Sequence, residues 1–360
     1  MVCMSELPTG SCPSQVEIPS ELPENLDVFF SNHERKGRFF NPWAEFQRPG
    51  FGDVMKWQFT PNPDRALKRS PPSIDCVSVG MDTALAPEES RVTWLGHASF
   101  LLEVGGLRTV IDPIFGHMMG GLIRRRCPSP RDIETVGKID AILITHGHYD
   151  HLDKLTVSRL AQANPDVVLC VPRAMTPLLP KNCRHVIEFD WWEELSLGAV
   201  TYSFVPAQHW HRRGLFDLNR VLWGGWVITG QHRFYHSGDT GFFPGFEAIG
   251  SVFPDIDVAI LPLGAYEPAW FMGPQHMRPS DSVRAFELLG ARNFLGMHWG
   301  TFDLSDEPLD GGIAEARRAF QSIDCALNRF FTLQPGGRLL LSGAKTSATH
   351  VYAVDDRESA

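Results

Sequence analysis

The strongest constraint on this chain is the six-residue sequence HGHYDH at positions 146–151, where three histidines and one aspartate stand close together. The apolar run IDAILIT precedes it and LDKLTVSRLAQA follows it, which predicts a buried strand before the hexapeptide and an amphipathic helix after it. The hexapeptide therefore occupies a strand-to-helix turn. A fold that accepts this turn can gather polar side chains from several strand ends at one edge of a sheet.

The composition is typical of a soluble globular protein, because 43% of the residues are hydrophobic and 21% are charged. A length of 360 residues allows one large domain or two of ordinary size. We expect no transmembrane helix, since no run of about 18 or more apolar residues occurs. The acidic N-terminus lacks the basic start and apolar middle of a secretory signal.

The net charge of −9 argues against nucleic acid as a partner, because nucleic-acid binding usually needs a basic surface. The seven cysteines are odd in number and widely spaced, and none forms a CxxC pair. This pattern indicates free thiols in a reducing compartment and not a disulfide framework. A cytoplasmic location is the resulting expectation.

The chain divides into three regions that differ in how regularly apolar residues recur. Residues 1–85 predict an irregular extension that packs on the core in part, through the aromatic segment GRFFNPW at 37–43. Residues 86–345 predict the main domain, and residues 346–360 a C-terminal tail. Within the main domain, Gly105 and Gly106 separate two strand-like runs and predict a β-hairpin.

Strand-like runs dominate the main domain, with helical runs at intervals. Further strands are expected in AILIT, VVLCV, TYSFVPA, LWGGWVIT, RFYHSG, VAILPL, NFLGMH and GRLLLSG. Helices are expected in LDKLTVSRLAQA, in GGIAEARRAFQSI and in PSDSVRAFELLG, the last with Ser280 or Asp281 as the N-cap. This mixture favours an α+β fold in which two sheets carry helices on their outer faces.

The hexapeptide has the residues of a metal site but too few of them for two ions. His146 and His148 can bind one cation, and Asp150 and His151 a second. Further ligands follow predicted strands: His209, Asp239 and His298. A carboxylate such as Asp239 can bridge two metals. The predicted ligands are His146, His148, His209 and Asp239 for the first metal, and Asp150, His151, Asp239 and His298 for the second.

Any single histidine among the 14 is usually a surface or core residue, but the joint pattern is hard to produce by chance. Two metals about 3.5–4 Å apart acidify a water and bind the oxygens of a phosphate or carbonyl. Zinc accepts this set of nitrogen and oxygen ligands, and so do iron and manganese.

These residues resemble the metallo-β-lactamase superfamily, an αββα sandwich with its metal site at one edge of two sheets. Longer motifs are similar to the family of N-acyl-phosphatidylethanolamine-hydrolysing phospholipases D. They include VTWLGHASFLLEV, IDPIF, ITHGHYDHLD, VIEFDWWEE, AQHWHRR, SGDTGFFPGFEAIG, LPLGAYEPAWFMGPQHM and MHWGTF. The resemblance covers about residues 35–345, and GHMMGGLIRRRCPSP is shorter than its family counterpart.

The resemblance implies a metallo-β-lactamase-like αββα sandwich with two Zn²⁺ per chain, held by the seven ligands above. It implies hydrolysis of the phosphodiester of N-acyl-phosphatidylethanolamine to an N-acylethanolamine and phosphatidic acid. A homodimer is also implied. Gln275 and His276 would lie beside the substrate phosphate.

Roles within that reaction are hypotheses. Asp239 or Asp150 would orient the attacking water, Gln275 would donate a hydrogen bond to the phosphate, and His276 or a water would protonate the leaving oxygen.

Four more residues have competing interpretations. Asp112 would orient a ligand histidine, or would form a turn before Pro113. His97 would hydrogen-bond near the site or pair inside the core. Tyr149 and Trp270 would contact the substrate, although core packing also explains an aromatic such as Trp270. His211 and His236 are placed away from the site.

A phospholipid substrate also predicts peripheral contact with a membrane. The segment HMMGGLIRRR combines apolar residues with Arg124, Arg125 and Arg126, which would meet anionic head groups. A solvated or salt-bridged loop is the other interpretation of the arginines.

Three other functions compete with a phospholipase. The first is a metal-dependent lactonase or phosphodiesterase for a small phosphorylated substrate, which would share the metal ligands. The second is a nuclease, which the net charge opposes. The third is a non-enzymatic metal-binding or oxygen-sensing protein, which His148 opposes because redox di-iron relatives carry glutamate at that position.

Overall fold

The structure is a computed structural model that describes residues 13–16, 27–44, 49–69, 71–77, 83–130, 133–323 and 325–352. In chain order its strands are β1 (Ser14–Gln15), β2 (Glu34–Arg35), β3 (Arg38–Phe39), β4 (Glu89–Gly96), β5 (Ser99–Val104), β6 (Leu107–Ile111), β7 (Ala141–Leu143), β8 (Val168–Pro172), β9 (His185–Phe189), β10 (Glu193–Leu197), β11 (Val200–Val205), β12 (Gly225–Thr229), β13 (Arg233–His236), β14 (Val258–Pro262), β15 (Asn293–Met297), β16 (Phe330–Phe331), β17 (Leu333–Ser342) and β18 (Lys345–Val351). The α-helices are α1 (Phe51–Phe59), α2 (Arg65–Arg69), α3 (Ile133–Val136), α4 (Lys154–Ala163), α5 (Gly245–Val252), α6 (Ala269–Met272), α7 (Pro279–Leu288) and α8 (Gly311–Ser322).

Two eight-stranded sheets form the body of the protein. The strand order of one is β1-β10-β11-β12-β13-β14-β15-β16, and that of the other is β18-β17-β4-β5-β6-β7-β8-β9. Each sheet is antiparallel in its first half and parallel from β13 or β6 onwards, where helices supply the crossovers. The predicted α+β class and the αββα sandwich are confirmed.

Side-chain alternation along β5 shows how the sequence builds these layers. Phe100, Leu102 and Val104 enter the core between the two sheets, and Leu101 enters a second core beneath α3 and α4. Both faces of the strand are covered by protein, so all six residues are buried, including the polar Ser99 and Glu103. The same division holds in β7, whose Leu143 and Ile142 face different layers.

The hairpin predicted at Gly105 and Gly106 is confirmed. Val104 pairs with Leu107, so the two glycines alone form the turn. Both have positive φ, 57° and 76°, which glycine adopts without steric cost.

The prediction of the α7 N-cap was wrong. Neither Ser280 nor Asp281 caps the helix; the N-cap is Arg278, and Pro279 begins the helix. Asp281 lies in the first turn, where its Oδ2 accepts a hydrogen bond from the Arg278 backbone N–H at 3.4 Å. Proline fixes the backbone for the first helical position, and this preference outweighs a downstream capping side chain.

The segment at 37–43 lies against the main body. Phe39 and Asn41 are buried, and the Trp43 ring stacks on Phe243 with centroids 5.0 Å apart. At the other end of the chain, β18 pairs with β17, so ordered structure continues past residue 345, where the C-terminal tail was placed. The three predicted regions stay a prediction.

Candidate metal centre

The predicted ligands come together where strands of both sheets end. The hexapeptide joins β7 to α4, His209 follows β11, Asp239 follows β13 and His298 follows β15. All are buried or half-buried. Among the residues that the structure describes, three groups of side chains have nitrogen or oxygen atoms within 4.8 Å of one another: His146, His148, His209 and Asp239; His97, Asp150, His151 and His298; and Asp239, His276 and His298.

The first group presents three imidazole nitrogens to one point. His148 Nδ1 is 3.0 Å from His146 Nε2 and 3.1 Å from His209 Nε2. Asp239 Oδ2 lies 3.7 Å from His146 Nε2. A tetrahedron with metal bonds of about 2.0–2.1 Å has edges of about 3.4 Å, so these separations fit four ligands of one ion.

The second group lies directly beside the first. Asp150 Oδ2 is 3.6 Å from His151 Nε2 and 3.5 Å from His298 Nε2. Asp239 reaches this group as well, with Oδ2 3.2 Å from His151 Nε2 and Oδ1 3.1 Å from His298 Nε2. Asp239 therefore contacts histidines of both groups, as a bridging carboxylate would.

Several ligand atoms are buried without a hydrogen-bond partner, namely Asp239 Oδ1 and the Nε2 atoms of His151 and His298. Leaving a buried polar atom unsatisfied costs about 1–3 kcal/mol, so such atoms need another partner. Cations would supply it for this donor set. These histidine and aspartate clusters are able to bind metal.

Hydrogen bonds on the far side of the ligands set which ring nitrogen faces the centre. His209 Nδ1 is 3.1 Å from the backbone carbonyl of Gln275, which can only accept. His151 Nδ1 is 2.7 Å from Asp112 Oδ2. In both rings Nδ1 therefore carries a proton, which leaves Nε2 as the nitrogen that faces the metal centre.

Asp112 is fully buried and accepts hydrogen bonds from Thr145, which precedes the hexapeptide, and from His151 within it. Its Oδ1 accepts from the Thr145 N–H at 2.8 Å, and its Oδ2 from the Thr145 hydroxyl at 2.6 Å and from His151. The carboxylate thus ties the strand end to a ligand histidine. His97 Nε2 lies 3.1 Å from Asp150 Oδ2, and its ring is 4.0 Å from that of His298.

Three non-glycine residues at this edge adopt positive φ: His97 at 54°, Asp112 at 41° and His298 at 62°. Such backbone is uncommon outside glycine and costs about 1–3 kcal/mol where it occurs. These strained conformations lie where the side chains converge. They turn each strand end towards the centre.

The histidine pKa values separate the two groups. Burial, reinforced by neighbouring imidazoles, lowers the pKa of His146 and His209 well below the usual value and that of His148 to about 4. Burial opposes protonation of His298 too, but Asp239 and Asp150 outweigh it and raise its pKa to about 9. The same carboxylates and Asp112 raise the pKa of His151.

His276 lies at the same centre, and the backbone carbonyl of Gln275 contacts His209; both residues are largely buried. The Trp210 indole N–H donates to Gln275 Oε1, so the oxygen of this amide is occupied and its NH₂ is the group that can donate. His276 Nδ1 is 3.9 Å from Asp239 Oδ2 and has no hydrogen-bond partner.

Tyr149 and Trp270 have other contacts. The Tyr149 hydroxyl donates to the Arg213 carbonyl at 3.1 Å. Trp270 is 42% exposed, and the Lys56 ammonium lies 4.4 Å from its ring centroid. Contact of either residue with a substrate stays a prediction.

Sequence reasoning missed the support behind the hexapeptide. His211, placed away from the site, packs beside it: its ring would lie 2.2 Å from a Cβ added at Gly147. Gly147 does not have a positive φ, so glycine is required there because the His211 ring takes the space of a Cβ. His236 does lie behind the site, with Nε2 3.0 Å from the Ala98 carbonyl.

The prediction that three arginines meet head groups was wrong for Arg125. Its guanidinium is enclosed and donates to the carbonyls of Ile114, Leu95 and Cys127 at 2.6, 3.0 and 3.2 Å. Arg126 pairs with Asp303 at 2.8 Å, and Arg124 is exposed. The sequence of three adjacent arginines does not reveal that one of them donates hydrogen bonds to carbonyls of the loop.

The sandwich and its edge cluster define the class of protein as a metal-dependent hydrolase of the metallo-β-lactamase superfamily. The model of the beta-lactamase superfamily domain matches residues 108–299. A solved metallo hydrolase from Ignicoccus hospitalis shares the fold, with a TM-score of 0.55 and 21% identity over 70% of this chain and 98% of that one.

Within the superfamily, the chain belongs to the family of N-acyl-phosphatidylethanolamine-hydrolysing phospholipases D. It is 32% identical over 307 residues to N-acyl-phosphatidylethanolamine-hydrolyzing phospholipase D 1 of Caenorhabditis elegans, which covers 78% of this chain and 86% of that protein. It is 36% identical over 228 residues to the mitochondrial enzyme of that name from Saccharomyces cerevisiae, covering 60% of this chain and 48% of that protein. Among the described residues, no helix has the length and apolarity needed to cross a membrane.

Proposed function

We propose that this protein is a dinuclear metal-dependent phosphodiesterase of the phospholipase D type, which hydrolyses N-acyl-phosphatidylethanolamine to an N-acylethanolamine and phosphatidic acid. The observation that carries the proposal is the position of Asp239, within 3.2 Å of His151 and within 3.7 Å of His146, so that one carboxylate contacts both ligand groups. The names of the nematode and yeast relatives support the substrate.

Zinc is the ion we propose, at both positions. The first would be held by His146, His148, His209 and Asp239, and the second by Asp150, His151, Asp239 and His298. When bound, the two ions would supply an acidified water and positive charge beside the phosphate oxygens. Iron or manganese would fit the same donors.

Protein side chains would orient the reacting groups around that pair. Asp150 and Asp239 are acceptors on the metal side and would hold the attacking water by its hydrogens. The amide NH₂ of Gln275, whose oxygen accepts from Trp210, would donate to a non-bridging phosphate oxygen. Orientation of the water by the aspartates and binding of the phosphate by Gln275 need only hydrogen bonds, and no proton transfer.

His276 is better suited to hydrogen bonding than to acting as a charged acid. Burial lowers its pKa to about 4 although Asp239 opposes this, so the ring is neutral at pH 7. Nearby cations would lower the pKa further. We therefore propose that His276 donates an N–H to the phosphate or leaving oxygen, and that solvent supplies the proton of the departing alcohol.

We expect the two metals to load with different pH dependence. In the metal-free protein at pH 7, His151 and His298 are protonated because their pKa values are raised, and they must lose those protons to bind metal. The first group is already neutral. Affinity for the second ion should therefore fall by about 10-fold per pH unit on acidification below pH 9 from His298 alone, and more steeply where His151 also takes up a proton, and that for the first should not.

Calorimetric zinc titrations in buffers of different ionisation enthalpy test this difference. The expected result is release of about two protons with the second ion and few with the first. Equal proton release in both steps would contradict the assignment of the two groups.

Helix α1 supports a lipid substrate. Its Phe51 and Phe59 are 81% and 78% exposed, and none of its residues is buried. Trp57 packs on Phe271 of α6 at 4.8 Å and donates to Asp306 at 2.9 Å. The helix thus carries an apolar surface close to the segment that bears Gln275 and His276, where peripheral contact with a phospholipid surface would deliver acyl chains.

Replacing Phe51 and Phe59 together by serine should weaken binding to phospholipid vesicles about 10-fold or more, because burial of an aromatic side chain contributes about 1.5–3 kcal/mol. Vesicle sedimentation measures the partition coefficient. Phe216→Ser is the matched control and should bind like the wild type, because Phe216 is 82% exposed but lies in a loop outside α1. Equal binding by all variants would exclude α1 as the docking surface.

A substrate panel tests the proposed function. Zinc-loaded protein is incubated with N-acyl-phosphatidylethanolamine in mixed micelles, with a small phosphodiester and with a phosphorylated lactone, and products are identified by mass spectrometry. We expect equimolar N-acylethanolamine and phosphatidic acid, absent with His298→Ala. Turnover of the lactone or the small ester alone, with two metals bound, would assign the site to the competing substrate class.

A further inference from the structure

Backbone carbonyl groups in and just after the hexapeptide point to one side chain from another part of the chain, that of Arg213. Its Nη1 donates to the carbonyls of Gly147, His148 and Leu152 at 3.0, 3.2 and 2.9 Å. These three residues run from the second position of the hexapeptide to Leu152, two residues before α4 begins. One guanidinium therefore satisfies the carbonyls of the turn that presents His148, Asp150 and His151, and it contacts none of the predicted ligand atoms.

The contact is reciprocal. The Arg213 guanidinium lies over the Tyr149 ring, 4.0 Å from its centroid, and the Tyr149 hydroxyl donates back to the Arg213 carbonyl at 3.1 Å. Cation–π contacts of partly enclosed groups contribute about 0.5–2 kcal/mol. Tyr149 of the hexapeptide therefore contacts both the side chain and the backbone of Arg213.

The segment that carries Arg213 is itself fixed. Asp217 accepts from the Arg213 backbone N–H at 3.1 Å and from that of Gly214 at 2.8 Å. Asn219 Oδ1 accepts from the His211 N–H at 3.1 Å, and the Asn219 N–H donates to the His211 carbonyl at 2.8 Å. The arginine therefore projects from a closed loop whose ends are tied.

His211 fills the space between this loop and the hexapeptide. Its ring stacks on that of His148 with centroids 6.2 Å apart, and it occupies the position that a Cβ on Gly147 would need. The loop from His211 to Asn219 therefore packs on the side chain of one ligand and hydrogen-bonds to the backbone that carries the others.

We propose that Arg213 is a positioning residue for the metal site: it holds the hexapeptide in its ligand geometry before metal binds. The proposal rests on the proposed metal ligands but not on the identity of the substrate. Without Arg213, the carbonyls of Gly147 and Leu152 lose this donor, and that of His148 keeps only the backbone N–H groups of His151 and Leu152. The turn then has more conformations in the metal-free protein, and metal binding must offset the entropy lost when the turn is ordered. The expected effect is a lower metal affinity with unchanged ligands.

The test uses the full-length chain with Arg213→Ala, Arg213→Lys and, as matched control, Arg212→Ala. Arg212 is the half-buried neighbour, and its Nε donates to the Gly214 carbonyl and not to the hexapeptide. Zinc affinity is measured by competition with a chromogenic chelator. Loss of a residue that supports ligands typically costs about 10–100-fold in metal affinity, and we expect that loss for Arg213→Ala. Lysine, with three N–H donors, should restore part of it.

Amide hydrogen exchange of the metal-free proteins separates positioning from general stability. We expect faster exchange confined to residues 146–152 in Arg213→Ala, with Arg212→Ala matching the wild type. Zinc affinity and exchange equal in the two alanine variants would overturn the proposal, as would faster exchange spread over the whole domain. A wild type that binds zinc but hydrolyses no lipid would reject the proposed substrate and leave the role of Arg213 standing.

Discussion

Asp239→Asn is expected to lower turnover of N-acyl-phosphatidylethanolamine by at least about 10³-fold, since removing even one transition-state hydrogen-bond donor typically costs about 10²–10³. Asp239 is the residue whose carboxylate contacts histidines of both ligand groups, with Oδ2 3.7 Å from His146 of the first group and 3.2 Å from His151 of the second. Asparagine has the same shape but lacks the charge, and it offers one oxygen where two are needed.

The fold should tolerate this change. The pKa of Asp239 is held well below the usual range because, although burial opposes ionisation, His151 and His298 outweigh it. Removal of the carboxylate therefore removes charge that would hold cations, not a contact within the core. Circular dichroism should match the wild type, and elemental analysis should show fewer than two metals per chain. Asp255→Asn, at an exposed ion pair with Arg292, is the control.

Normal turnover by Asp239→Asn with two metals bound would show that no carboxylate bridge is needed. Loss of turnover together with loss of the circular dichroism spectrum would show only that the variant is unfolded. Retained spectrum, reduced metal content and lost turnover are the joint result that the site predicts.

Asp112→Asn is expected to lower metal affinity by about 10–100-fold, the usual cost of losing a group that orients a metal ligand. Asp112 Oδ2 accepts from His151 Nδ1 at 2.7 Å and from the Thr145 hydroxyl at 2.6 Å. An asparagine must turn its NH₂ towards one of these donors. His151 then loses the anion that fixes its tautomer and raises the basicity of Nε2.

This variant should differ from Asp239→Asn in its response to metal. Because every predicted ligand remains, excess zinc should restore a large part of the turnover of Asp112→Asn. Activity measured against free zinc gives the shift in affinity directly. An unshifted zinc curve would show that Asp112 serves only the turn before Pro113. A buried donor left unpaired should also lower the free energy of unfolding by about 1–3 kcal/mol.

The sequence predicted those parts of the site that depend on local spacing. Each proposed ligand follows a strand, and strand ends that share a sheet edge must meet, so His209 and His298 could be found without coordinates. The two-layer fold followed from apolar runs such as β5, whose residues are buried on both faces. The paired glycines at 105–106 predicted their hairpin for the same local reason.

Contacts between distant segments could not be predicted in this way. The reason for Gly147 lies 64 residues away, in the ring of His211, and Arg213 recognises backbone carbonyls that have no sequence signature. Arg125 has the composition of a surface charge but satisfies buried carbonyls. The strands β9 and β10 were not identified, because His185–Phe189 and Glu193–Leu197 lack a strong apolar pattern.

The measurement that tests the proposed function most directly is hydrolysis of N-acyl-phosphatidylethanolamine in ¹⁸O-labelled water by the zinc-loaded protein. Attack on phosphorus places one labelled oxygen in phosphatidic acid and none in the N-acylethanolamine, and this is the predicted result. Label in the N-acylethanolamine would show attack on carbon, and label in a released fatty acid would show ester or amide hydrolysis. Either outcome, or two bound metals without any lipid product, would contradict a phospholipase D reaction at this site.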